Sequence, residues 1–223
     1  MLRFTLITTI LALPFCALAQ DTTLHHKLRN LGSELYFHIG GEVANFPGIN
    51  GSLRQAGPYR MPALFVEGGF GLAIRYRQFL LGVDEGLLGG SNPSIAATGF
   101  YDRFYLSTNL IHIGNCILSP QLGYLYRILT VRIPKFTGAT NFEDALNTGA
   151  NSLQLNHVSD LLDVGVELKI KGAKPNQVLP VVRAGYRYGL EDAQWTVSNS
   201  TVTDGPRDRG SNVYMELLLG FGY

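Results

Sequence analysis

His157 and Ser159 are the two residues of this chain whose types and spacing could carry out covalent chemistry. Positions two apart on a strand share a face. An imidazole so placed can take the proton of a serine hydroxyl and leave it a nucleophile. The alternation C-terminal to them puts Val164, Val166, Leu168 and Ile170 on the opposite face, so His157 and Ser159 turn inward with Asp163 and Glu167. No other grouping of serine, histidine and acid has a usable spacing, and no metal, nucleotide or phosphate-loop motif is present. The adjacent His25 and His26 sit in a polar stretch and read as solvated side chains, and His112 falls at a turn. The sequence therefore predicts no metal and no cofactor.

A second chemical pattern is the charge carried by alternating segments. Glu42, Glu67, Asp84, Asp163, Glu167 and Glu216 share the face opposite the apolar row of their segments, as do Arg75, Arg103, Arg127, Lys169, Arg183 and Arg187. Charges gathered in a narrow interior have to pair, because an unpaired buried ion is strongly unfavourable. Counting from the short-turn ends predicts Arg183 against Glu167, Arg187 against Asp163, and Glu216 between the two arginines, with Glu67 in the same network.

The elements that must position these groups are strands. Asn212 to Tyr223 is the clearest: Val213, Met215, Leu217, Leu219, Phe221 and Tyr223 are apolar at every second position, while the other face carries Glu216, Gly220 and Gly222. An apolar row looking outward with a carboxylate looking inward is the pattern of a strand facing lipid. The segment ends on an aromatic and resembles the assembly signal of bacterial outer-membrane β-barrels. That resemblance implies Phe221 and Tyr223 as the insertion signal, read by the barrel-assembly machinery after escort by periplasmic chaperones.

Seven further alternating segments precede it: about 33–43, two within 62–88 that break near Tyr76 and Arg77, then about 98–112, 116–129, 157–171 and 178–190. Glu85 falls on the outward face, at headgroup level or at a bulge. The connections alternate long and short, with irregular loops expected at 44–61, 89–97, 130–156 and 191–211. In outer-membrane barrels the short turns are periplasmic and the long loops extracellular. Tyr76, Phe79, Phe221 and Tyr223 form one aromatic girdle, and Phe104, Tyr124, Tyr126, Tyr186 and Tyr188 the other.

Met1 to Ala19 has one basic residue, Arg3, an apolar core and small residues before Gln20, as a Sec signal peptide cleaved after Ala19 does. Bulky residues precede Cys16 where a lipobox would have small ones, so the leader does not read as a lipoprotein's. Residues 20–32 are a periplasmic lead-in and 33–223 the barrel. Past the leader no apolar run is long enough for a spanning helix. Cys116 then stands alone, at the lipid side of a turn, and no internal disulfide is possible. Apart from Arg3 the chain has 17 Lys+Arg and 17 Asp+Glu, which removes the electrostatic case for nucleic acid.

The fold expected is all-β, an eight-stranded antiparallel up-and-down transmembrane β-barrel in the bacterial outer membrane, with outer-membrane lipid as its surroundings. In layout the chain resembles the OmpA-like and PorT-like outer-membrane β-barrel group. A barrel of this size is filled by its own side chains, so the function expected is a plugged lumen with a structural or surface-binding role through four extracellular loops, and no enzymatic activity. Two alternatives remain: a narrow pore or accessory subunit of an envelope secretion system, and a lipid-modifying enzyme. His157-Val158-Ser159 resembles the H-x-S of the outer-membrane lipid A deacylases, although Asp160-Leu161 stands where that family's pattern continues with Asn and a small residue.

Overall fold

The computed structural model describes residues 31–136, 150–170, 179–197 and 204–222. The leader, the lead-in with His25 and His26, and Tyr223 lie outside the described residues.

In chain order the elements are β1 (Leu31–Ala44), α1 (Pro47–Ala56), β2 (Leu64–Tyr76), β3 (Phe79–Asn92), β4 (Ile95–Thr108), β5 (Ile111–Ile113), β6 (Cys116–Phe136), β7 (Ala150–Ile170), β8 (Leu179–Gly189), β9 (Ala193–Gln194), β10 (Thr196–Val197), β11 (Arg207–Asp208) and β12 (Asn212–Gly222). Eight long strands close in the order β1-β2-β3-β4-β6-β7-β8-β12 and back to β1. Each strand pairs with its neighbour in sequence, antiparallel, so the chain is an up-and-down barrel.

Alternation along the strands separates two faces of opposite character. Outward, Leu81, Leu87 and Met215 are 60, 67 and 63% exposed; inward, Arg183 and Glu216 are 0 and 1% exposed. Water would favour the reverse arrangement. Glu85 faces outward in an unbroken register, opposite Phe70 on one side and Asp102 on the other, so no bulge turns it.

Four expectations about the connections are corrected. The segment 44–61 holds the helix α1, whose Ile49 and Leu53 stand one turn apart and are both fully buried. Its glycines and proline disguised it, yet Pro47 occupies the first turn, where a missing N–H costs nothing. The segment 89–97 is a tight turn between β3 and β4, which run to Asn92 and from Ile95. Much of 130–156 is strand: β6 continues to Phe136 and β7 begins at Ala150. There the polarity reverses, with Val131, Ile133, Leu153 and Leu155 buried and Arg132 exposed, so a search for an outward apolar row passes it over. Finally, 191–211 contains β9, β10 and β11, and the fourth strand breaks after Thr108 before the short β5.

Candidate functional site

Halfway along the barrel the inward side chains form a layer of charge. Arg103 donates through Nε to Asp84 at 2.6 Å, through Nη1 to Glu216 at 3.1 Å and Asp163 at 3.3 Å, and through Nη2 to Glu216 at 2.9 Å. Arg183 holds Glu167 through Nε at 3.0 Å and Nη2 at 2.7 Å, and reaches Asp84 at 2.9 Å and Glu216 at 3.1 Å through Nη1. Arg187 donates to Glu42 at 2.8 Å, Glu67 at 2.8 Å and Glu216 at 2.6 Å. Arg127 donates to Glu42 at 2.9 Å, and Lys169 lies 2.9 Å from Glu167. The four arginines are at most 1% exposed. Each guanidinium presents its fork to more than one acceptor, the arrangement for which arginine is better suited than lysine.

Glu216 thus sits between Arg183 and Arg187 and also takes Arg103. The expected pair of Arg187 with Asp163 does not form. The two residues are opposite each other in the β7–β8 register, but the Arg187 side chain leaves its own rung and crosses the lumen, its guanidinium carbon 4.0 Å from the centre of the Tyr214 ring. Asp163 is occupied instead by the Tyr214 hydroxyl at 2.7 Å, Gln121 at 3.2 Å and Arg103. A rule that pairs charges at equal height fails where the cation has a long, flexible stem and a tyrosine takes the nearer acceptor.

Tyrosines complete the layer, and charge alternation alone does not reveal them. Tyr36 donates to Asp84 and shares a hydrogen bond with Tyr105 at 2.7 Å. Arg183 stacks over Tyr105 at 4.6 Å. The rings of Tyr105 and Tyr101 lie over Gly82 and Gly86, where a Cβ would collide with them. The sequence signal is a glycine opposite an inward tyrosine on the neighbouring strand, as the register pairs Gly82 with Tyr105 and Gly86 with Tyr101.

Apolar side chains pack against the charge toward both ends. Toward the short turns lie Tyr36, Ala73, Leu80, Tyr105 and Leu218. Toward the long connections a larger cluster includes Phe46, Ile49, Leu53, Phe65, Leu129, Leu155 and Trp195. Asp208 ties this cap together. It accepts from the amides of Gly48 at 2.7 Å and Ile49 at 2.9 Å, and from the Trp195 indole at 2.8 Å. No side chain caps α1 from its own N-cap, Phe46, so Asp208 serves that purpose from 160 residues away. Removing it strands three donors, two of them buried. Asp208→Ala is expected to raise hydrogen exchange at the Gly48 and Ile49 amides roughly tenfold or more, about 1 to 3 kcal/mol of local opening, while the barrel strands stay protected.

His157 and Ser159 belong to this cap, facing inward and almost fully buried. The imidazole lies 4.7 Å from the Trp195 ring, and its Nε2 contacts the Asp208 carbonyl oxygen at 3.0 Å. Ser159 Oγ accepts from Arg127 Nε at 3.3 Å. No hydrogen bond joins the two among the described residues, and each is committed elsewhere. Among the described residues no group of three or more His, Cys, Asp or Glu side chains is placed to hold a metal. Just after β11, Arg209 is exposed, and its hydrogen bond to Asp192 holds its pKa above the usual value. Phe221 pairs with Leu35 across the β12–β1 seam.

Neither a protein-family model nor a curated protein matches the sequence. Among solved structures, the attachment invasion locus protein Ail of Yersinia pestis aligns at 13% identity with a TM-score of 0.45, covering 86% of this chain and 98% of its own. Neisserial surface protein A aligns at 13% identity and TM-score 0.41, covering 86 and 94%. The N-terminal β-barrel domain of Pseudomonas aeruginosa OprF aligns at 11% identity and TM-score 0.39, covering 86 and 97%. Apolar side chains over most of the outer face of a closed sheet are stable against lipid and not against water. Eight antiparallel strands around an interior of paired charge make this chain a closed up-and-down β-barrel with an apolar, lipid-facing outer surface.

Proposed function

We propose that the protein is a non-conducting, non-enzymatic outer-membrane barrel whose filled lumen holds its loop end as a rigid surface platform, in a structural or surface-binding role. The supporting observation is the filled interior: paired, buried charge packed against apolar clusters toward both ends. An ion entering from the loop end would have to displace Phe46, Leu53 and Trp195, then break ion pairs among fully buried side chains. Both steps cost free energy that hydration in so narrow a space does not return.

Protein refolded into planar bilayers should show no discrete openings under applied voltage. Stepwise conductance in the wild type would overturn the plugged lumen and favour the narrow pore. Lipid A acyl chains should be unchanged between cells with and without the protein, and a missing chain would overturn the non-enzymatic reading.

The platform requires the long connections to face outward from the cell. With Cys116 replaced by serine, cysteines at Arg54 on α1 and Pro93 in the β3–β4 turn should react with a membrane-impermeant reagent on intact cells, whereas a cysteine at Asn115 should react only after the outer membrane is opened. Labelling of Asn115→Cys on intact cells would reverse the orientation.

A further inference from the structure

A cavity of about 480 Å³ opens on the outer surface where β1, β8 and β12 end toward the long connections, and its two walls differ in chemistry. One wall is strand: Val43, Val213 and Tyr186 are neighbours in register, face outward and are 57, 58 and 46% exposed. The other wall comes from the long connection between β8 and β12, where Arg207 in β11 and Arg209 just after it line the cavity. The Arg207 side chain is exposed and takes part in no hydrogen bond or ion pair among the described residues. Arg209 is held in place by Asp192 at 3.1 Å, by the Tyr188 hydroxyl and by the Tyr188 ring, 5.5 Å from its guanidinium carbon.

Two carboxylates border the same cavity, and neither cancels this charge where it matters. Asp208 is buried, with both oxygens already accepting from α1 and Trp195. Asp192 takes only the Nε edge of Arg209. The Arg207 guanidinium therefore has no counter-ion among the described residues and stands beside a wall of aliphatic and aromatic side chains.

We infer that this cavity binds the phosphorylated headgroup of an outer-leaflet lipid, with Arg207 and Arg209 on the phosphate and an acyl chain laid along Val43, Val213 and Tyr186. Guanidinium groups bind phosphate through paired, charge-assisted hydrogen bonds. Tyr186 and Tyr188 are outward-facing aromatics near the long-connection end of β8, where outer-membrane barrels carry an aromatic girdle. A soluble anion would use the loop wall alone and leave the strand wall exposed, whereas an amphiphile uses both.

The test is native mass spectrometry of the full-length folded barrel, released from detergent micelles that contain bis-phosphorylated lipid A, dephosphorylated lipid A or phosphatidylcholine. Wild type should retain one bis-phosphorylated lipid A and little of the other two. Arg207→Glu together with Arg209→Glu should weaken retention about tenfold or more, the loss of at least one charge-assisted contact. Arg207→Glu alone breaks none of the described contacts, so a weakening in that variant cannot arise from a disturbed fold, and heat-modifiable migration confirms the barrel in each. Equal retention by wild type and the double variant, or equal retention of all three lipids, would overturn the assignment. Displacement of lipid A by millimolar inorganic phosphate would also overturn it, by moving the site to a free anion.

Discussion

Arg187→Ala is expected to destabilise the folded barrel by about 3 to 5 kcal/mol, measured by urea unfolding of protein reconstituted in lipid vesicles. The cost does not fall evenly on its three carboxylate partners. Glu42 keeps Arg127, and Glu216 keeps Arg103 and Arg183. Glu67 has Arg187 as its one ion-pair partner among the described residues, and it is 1% exposed. The substitution thus leaves one carboxylate stranded in a space that water cannot readily enter, and that carboxylate accounts for most of the loss. Changing both partners, as in Glu67→Gln with Arg187→Gln, removes the orphaned charge and should recover most of the stability, because replacing a buried ion pair by neutral groups is far less costly than breaking it. A double variant as unstable as the single one would place the loss at Glu42 and Glu216 instead, whereas an Arg187→Ala barrel as stable as its parent would show that the lumen admits enough water to solvate Glu67. The non-conducting reading would then fail with it.

The charge layer was partly legible in the sequence because strand alternation has a fixed period of two. Once the apolar row is placed against lipid, every inward residue is fixed by parity, and Glu42, Glu67, Asp84, Asp163, Glu167 and Glu216 are all buried as that parity requires. The partners were less legible. Register places Cα atoms, and an arginine side chain can reach well beyond its own rung, as Arg187 does in leaving Asp163 for Glu42 and Glu67. Arg103 bridges to β12 and β7 across the lumen, a contact that no reading of adjacent strands could supply.

The cap was harder still, for a thermodynamic reason. Outside the membrane the rule that sorts residues onto faces changes sign, so β6 and β7 keep their alternation but turn their apolar row inward above Leu129 and His157. A reading tuned to lipid sees only polar residues there and expects a loop. The helix α1 is short and glycine-rich, and its formation depends on burying Ile49 and Leu53 and on a cap supplied by Asp208, which is remote in sequence. Local propensity carries neither fact. Trp195, the one tryptophan of the chain, was the available clue, since a large aromatic in a polar segment has little reason to be there unless something covers it.

Phe221→Asp is expected to prevent insertion almost completely, leaving exported protein that is degraded in the periplasm instead of a heat-modifiable barrel in the outer membrane. The strand that carries it closes the sheet: β12 pairs with β8 over Asn212 to Gly220 and with β1 over Asn212 to Gly222. At the seam Phe221 stands opposite Leu35, two rungs beyond the pair of Leu219 with Phe37. A carboxylate here damages two separate steps. It places a charge on the row that Val213, Met215, Leu217 and Leu219 present to lipid, a cost of up to a few kcal/mol that depends on depth. It also removes the aromatic from the segment expected to be recognised during assembly. The two effects separate by experiment, because spontaneous refolding into vesicles needs no assembly machinery. If recognition dominates, Phe221→Asp will refold in vesicles with a modest loss of stability yet fail to accumulate in cells. Failure in both settings would place the defect in the seam itself, and normal accumulation in the outer membrane would rule out a role for Phe221 in either.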